Sequence, residues 1–185
     1  YTTLFRSAAS LGAKVKLPAL VGDNMILQQQ TEVKLWGTAA PEAEVRVTPS
    51  WNGQTMTCRA DKDGGWTLAV ETPAAGYTPY EITFDDGEKT TLKNILIGEV
   101  WLASGQSNME MPLKGFAGCC IMNGADDIIV SAENKGVRMF TVPKHQTYEL
   151  QTDCKGSWNI SSIETAPDFS ATAYYFATSL SRALR

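Results

Sequence analysis

The stretch Gly98-Glu99-Val100-Trp101-Leu102-Ala103-Ser104-Gly105-Gln106-Ser107-Asn108-Met109-Glu110-Met111-Pro112-Leu113 decides how this chain is read. Together with Ile95, Leu96 and Ile97 it opens as an apolar run to Ala103, broken only by Gly98 and Glu99. A strand that lacks alternation fits a sheet covered on both faces, as in α/β folds. The run stops at Ser104-Gly105-Gln106-Ser107-Asn108, small and polar residues that favour a turn. In open α/β sheets ligands sit beyond the carboxyl ends of strands. A serine at the head of such a support is where a nucleophile has to be held. Taken alone, Gly105-Gln106-Ser107-Asn108 is equally compatible with an ordinary polar loop.

Composition bounds the wider reading. The chain has 185 residues, room for one domain or two small ones, and 43% hydrophobic residues, normal for a protein that buries a core. Its net charge is −4 and its Lys and Arg form no basic block, which argues against a nucleic-acid footprint. No apolar run approaches the roughly 18 residues of a membrane span.

Upstream of the opening stretch the pattern is β. Val33 and Leu35 alternate with Lys34 and Trp36, and Val45 and Val47 with Glu44, Arg46 and Thr48. Trp66, Leu68 and Val70 form a further face, as do Tyr80, Ile82 and Phe84. Turn signals separate these runs: Gly22-Asp23-Asn24, Pro41-Glu42-Ala43, Asn52-Gly53, Asp61 to Gly65 and Asp85 to Glu88. Asn52-Gly53 predicts a type I′ hairpin, which needs φ > 0 at both central positions. Short strands at about ten-residue spacing predict a β-sandwich over residues 15–94. Asp61-x-Asp63-Gly64 fails as a calcium loop, because position twelve is Thr72 rather than Glu, and reads as a polar hairpin.

Downstream, Lys114 to Gly124 is loop-like and Ala125 to Asn134 fits a short helix. Val137 to Val142 reads as a strand ended by Pro143. Ala173, Phe176, Ala177, Leu180 and Leu184 recur with a helical period, behind Asp168 or Ser170 as a cap.

The block from Glu99 to Leu113, with Ser-Gly-Gln-Ser-Asn-Met-Glu at its centre, closely resembles the nucleophile block of the sialate O-acetylesterases. These belong to the SGNH (GDSL-like) hydrolase superfamily. Asp63-Gly64-Gly65-Trp66, the Arg138-x-Phe140-x-Val142 strand and Asp168-Phe169-Ser170-Ala171 resemble further segments of the same family, so the likeness covers roughly Leu17 to Leu184. It implies a mixed fold: an amino-terminal all-β, jelly-roll-like sandwich (15–94), then the first part of a three-layer α/β/α SGNH hydrolase domain (95–185). It further implies a serine esterase acting on O-acetylated sugars, most plausibly sialic acid. Ser107 maps onto the catalytic nucleophile and its backbone N–H onto one oxyanion-hole donor. The family is often secreted or periplasmic.

The chemistry has a gap. A serine hydroxyl needs a base to take its proton, usually a His oriented by an Asp. The one histidine, His145, is not preceded by Asp three residues earlier, since position 142 is Val142, and the family places its Asp-x-x-His near the carboxyl end of the catalytic domain. His145 therefore reads as a loop residue. The expectation is a truncated reading frame whose carboxyl-terminal catalytic part is missing, and a fragment inactive by itself. Residues 1–12, with Tyr1 to Ser7 resembling a translated sequencing adapter, read as a non-native or disordered terminus.

Other residues have plainer roles. Cys58, Cys119, Cys120 and Cys154 lack Cys-x-x-Cys spacing, so neither zinc nor any cofactor is expected, and their disulfide pairing stays open. Cys58 reads as a core residue. Trp36, Trp51 and Trp66 suit core packing or a sugar-stacking platform. Glu110 reads as a surface or helix-start carboxylate, or one reaching the site. A different class of function, a non-catalytic β-sandwich that binds carbohydrate or supports a partner domain, remains the alternative.

Overall fold

The computed structural model describes residues 14–118, 125–131 and 133–184. The terminal segment 1–12 and the Cys119-Cys120 pair lie outside the described residues.

Seven strands fill the first half: β1 (Ile26–Gln28), β2 (Glu32–Thr38), β3 (Glu44–Pro49), β4 (Met56–Arg59), β5 (Gly65–Glu71), β6 (Gly76–Asp85) and β7 (Lys89–Gly98). Five of them form one sheet in the order β1-β7-β6-β3-β4, and β2 pairs with β5 in a separate antiparallel ribbon. The alternation read from sequence sets which face is buried. β5 turns Trp66, Leu68 and Val70 inward and Thr67, Ala69 and Glu71 outward. Because successive side chains point to opposite sides of a strand, each sheet has one apolar face. The inner residues of both meet in a single buried cluster, with Leu35, Trp66 and Val70 from the ribbon and Val45, Val47, Ile82, Phe84, Ile95 and Ile97 from the five-stranded sheet. Phe84 is fully buried at its centre, its ring 5.8 Å from that of Trp66. Cys58 is half-buried against this cluster, and burial pushes its thiol pKa up. Cys58 and Cys154 form no disulfide among the described residues.

Two turns differ in an instructive way. At Asp61 the carboxylate Oδ1 accepts from the N–H groups of Asp63 (2.9 Å) and Gly65 (2.8 Å), an Asx turn. It is not the expected hairpin, because β4 pairs with β3 and β5 with β2, so the turn carries the chain from one sheet to the other. The Asn52-Gly53 turn is not type I′. Only Gly53 has positive φ (+66°), and its N–H reaches back to the carbonyl of Pro49, while Asn52 Oδ1 accepts from the Gln54 N–H. The longer connection to β4 leaves room for an open loop, so the dipeptide signal marked the turn but not its type.

The second half contains α1 (Ser107–Glu110), α2 (Ala125–Ser131), β8 (Arg138–Phe140), β9 (Trp158–Ile160) and α3 (Ala171–Ala183). It has its own buried cluster of Leu113, Val137, Met139, Ala166, Ala171 and Tyr174. Ser170 caps α3, its Oγ accepting from the Ala173 N–H at 3.3 Å.

Two expectations need correction. The apolar run does not continue as a strand to Ala103. β7 ends at Gly98, where its parallel partner β1 ends (Gln28 opposite Gly98). Beyond it Val100, Trp101 and Leu102 are exposed, Leu102 at 93%, and have no ladder partner among the described residues. Apolar continuity reports side chains and not where backbone partners stop. The buried stripe of α3 is also displaced from the predicted one: it is Ala171, Ala173, Tyr174 and Thr178, while Phe176 and Leu184 are exposed. Polar residues point inward because their hydroxyls find partners. Tyr174 Oη pairs with Ser161 Oγ (3.0 Å) and accepts from Asn134 Nδ2 (3.2 Å), and Thr178 Oγ1 donates to the Tyr174 carbonyl (3.0 Å).

That network predicts a stability effect. Tyr174→Phe leaves the buried Asn134 amide and Ser161 hydroxyl short of a partner, and is expected to cost about 1–3 kcal/mol, read by thermal or denaturant unfolding. An adjacent pair gives a pH prediction. Tyr175 Oη donates to Asp127 Oδ2 at 2.7 Å, and this bond, with lesser help from burial and the nearby negative charge, pushes the phenol pKa up to about 12. A raised phenol pKa favours the protonated ring in the folded chain. The resulting stabilisation is complete below the unfolded pKa of about 10 and is lost as pH rises toward the folded value. Ultraviolet titration should show Tyr175 ionising late, and Asp127→Asn should bring its pKa down.

Candidate active site

The chain leaves β7 through a clamp built by two glutamines. Glu99 accepts from Gln29 Nε2 (2.7 Å) and Gln28 Nε2 (3.1 Å), and Gln28 Oε1 accepts from the Val100 N–H (2.9 Å). Gln29 Oε1 in turn accepts from the Ala75 N–H (2.9 Å). The Gln29 and Gln28 bonds hold the Glu99 carboxyl below the usual carboxylate range. The extended segment that follows crosses α3, where Trp101 stacks edge-to-face on Phe176 with centroids 5.1 Å apart.

Ser107 opens the single turn of α1. The N–H groups of Met109 and Glu110 both donate to the Gln106 carbonyl, and the Met111 N–H donates to the Ser107 carbonyl. The first N–H groups of a helix have no partner within it, and that of Ser107 has no acceptor among the described residues. Ser107 is exposed, as is the whole run from Val100 to Asn108. Gly105 lets this turn close tightly, since a Cβ there would lie 3.2 Å from Met109 Cβ.

The segment 169–172 holds the far side of the turn. The Ala171 N–H donates to the Met111 carbonyl (2.8 Å), the Leu113 N–H to the Phe169 carbonyl (2.9 Å), Thr172 Oγ1 to the Asn108 carbonyl (3.0 Å) and Ser170 Oγ to Met109 Sδ (3.4 Å). Leu113 is fully buried beneath. Asp168-Phe169-Ser170-Ala171 therefore does more than start a helix: it fixes the serine turn to α3. Sequence reading assigned it only the cap. The Gln28-Gln29 clamp was missed as well, and its one signal was the proximity of two glutamines to a strand end.

The structure separates the remaining candidates. Glu110 pairs with Lys144 as an exposed ion pair at 2.5 Å, which makes it a surface carboxylate. Next along the chain, His145 is exposed in a segment without regular structure and makes no hydrogen bond to Ser107 among the described residues. Trp36 and Trp66 line one groove of about 610 Å³, while Trp51 lies elsewhere, its Nε1 donating to the Glu71 carbonyl and its ring on Tyr80. A second cavity of about 410 Å³ lies between the β1–β7 edge and α3. Ser107 lines neither. Among the described residues no group of three or more His, Cys, Asp or Glu is placed to hold a metal ion, and no helix is long and apolar enough to cross a membrane.

The chain as a whole is similar to proteins already characterised. A crystal structure described as a carbohydrate acetylesterase from Xanthomonas citri superposes with a TM-score of 0.82 and 32% identity, over 91% of this chain and 38% of that one. Sialate O-acetylesterases of mouse and human are 28% and 29% identical over 158 and 154 residues, covering 80% and 77% of this chain. Over most of its length the chain is thus similar to sialate O-acetylesterases and to a carbohydrate acetylesterase. It spans 28% of the length of the mouse and human relatives. No protein-family model matches it. Within the family likeness, the segments quoted from sequence now have physical jobs: the Gly98–Leu113 block carries the turn, and 168–171 secures it.

Proposed function

We propose that the chain carries the nucleophile portion of a carbohydrate O-acetylesterase, with residues 15–94 as a β-sandwich and the residues from 95 onward as the first part of an SGNH-type α/β/α domain. The observation that carries this reading is Ser107 at the head of a turn fixed by hydrogen bonds to 169–172, with its N–H free of any described acceptor.

In the proposed reaction Ser107 Oγ attacks the acetyl carbonyl while a base removes the hydroxyl proton. The Ser107 N–H is one donor to the oxyanion that forms. Collapse of the tetrahedral intermediate breaks the ester bond, and the departing sugar oxygen takes the proton back from the base. Water then releases acetate from the acyl-serine by the same steps in reverse roles. No described residue is placed as the base, so the reading requires one from outside the described residues. A sialic acid substrate is the finer proposal, supported by the names of the mammalian relatives.

The test begins with the source DNA, read beyond both ends of this frame, and expression of the uninterrupted product. Acetate release from O-acetylated sialic acid and from acetylated neutral glycans is then compared with a Ser107→Ala variant. Serine-dependent release on any of these substrates supports the esterase; equal release by both proteins overturns it. The 185-residue chain by itself is expected to hydrolyse acetyl esters no faster than its own Ser107→Ala variant, because no described side chain takes the proton.

A further inference from the structure

The groove on the β2–β5 ribbon is not lined by Ser107, yet it has the makings of a binding site. β2 and β5 pair with Trp36 opposite Thr67 and Gly37 opposite Trp66. Directly opposed residues share a face, so Trp36 and Thr67 lie together on one side of the ribbon and Trp66 on the other, buried side. Trp36 is partly buried, packed at the margin of the core, and forms one wall of the groove. Gly37 allows the Trp66 ring to reach the groove from beneath: a Cβ at position 37 would lie 2.9 Å from Trp66 Cζ2 and 2.4 Å from the Lys16 carbonyl oxygen. The groove encloses about 610 Å³, within the range of small-molecule sites.

Its rim is chemically balanced. Lys16 and Arg59 supply donors, Asp61 and Asp153 acceptors, and Thr67 a hydroxyl that does both. Asp61 and Asp153 each commit Oδ1 to backbone N–H groups, which holds these carboxylates in place with Oδ2 remaining. The bond from the Ala19 N–H to Asp153 (3.0 Å) also ties the 152–153 wall to the strand lead-in. Two cations against two carboxylates leave no net charge, so a simple anion or cation gains little by entering. What fits is a ligand with apolar C–H faces for an indole and hydroxyls that both donate and accept.

We infer that this groove is a binding site for a neutral saccharide, separate from Ser107, which holds the glycan away from the reacting ester. The inference deepens the carbohydrate reading of the family but does not depend on the esterase step.

The experiment titrates the 185-residue chain with xylohexaose, cellohexaose and maltohexaose, read by intrinsic tryptophan fluorescence and by calorimetry. Saturable binding of at least one is expected. Trp36→Ala should weaken it about tenfold, the scale of one lost stacking contact. Because Trp36 touches the core margin, Arg59→Ala, an exposed position, serves as the second variant and should weaken binding several-fold. Ser107→Ala should leave it unchanged. Binding of none of the three sugars, or binding insensitive to both groove variants in folded protein, overturns the inference. In the uninterrupted product, groove binding without serine-dependent acetate release overturns the esterase alone, and release without groove binding overturns the groove alone.

Discussion

Ser107→Ala is expected to lower kcat for acetyl-ester hydrolysis by about 10⁴-fold or more in a protein that carries this chain together with its base. Removing the nucleophile of a serine–histidine system removes the covalent route, and only oxyanion and binding contributions remain. The fold should not change. Ser107 is exposed, and the turn around it is held by backbone groups of Gln106, Asn108, Met111 and Leu113 that the substitution leaves intact. The measurement is a turnover assay beside a thermal melt. A melt within a degree or two of the parent with turnover lost is the expected pair. Retained turnover would place the nucleophile elsewhere. A smaller loss is expected from Thr172→Ala, which frees the Asn108 carbonyl from its 3.0 Å bond and loosens the turn without touching the reacting atoms.

The largest structural effect is expected at Phe84. Its side chain is fully buried where the two sheets meet and lies against Trp66. Phe84→Ala removes the transfer free energy of the ring and leaves a cavity, about 3–5 kcal/mol together. That is a large share of the roughly 5–15 kcal/mol that stabilises a typical domain. Denaturant unfolding should show the loss, and Phe84→Leu should recover much of it. An unfolding midpoint unchanged by Phe84→Ala would mean that the two sheets do not share a core in solution.

Much of the β half was legible in the sequence because its physics is local. Period-two alternation in Gly65–Glu71 and Glu44–Pro49 states which side chains face inward, and the structure buries Trp66, Leu68, Val70, Val45 and Val47 accordingly. Turn residues announced where strands end. Their geometry was less legible: Asn52-Gly53 marked the right place and the wrong turn, because loop length and not the dipeptide alone selects the type. On α3, counting apolar residues pointed to Phe176 and Leu184, whereas Tyr174 and Thr178 are the ones inside. A hydroxyl goes inward when a distant acceptor is waiting, and Ser161 and Asn134 are far from Tyr174 along the chain.

The candidate site divides in the same way. That a polar turn follows the apolar run could be read from residues 95–113 alone, since turn chemistry is a property of neighbours in sequence; the role given to Ser107 came from the family resemblance of the block. Tertiary structure decided what the chain does around that turn. It ended β7 at Gly98, because the partner strand β1 ends there. It recruited Gln28 and Gln29, some 70 residues away, to clamp Glu99, and the 169–172 segment, roughly 60 residues away, to fix the turn. It paired Glu110 with Lys144 and brought Trp36 and Trp66, but not Trp51, to one groove. These are contacts between residues remote in sequence. Their partners are chosen by sheet register and packing, which no local pattern records.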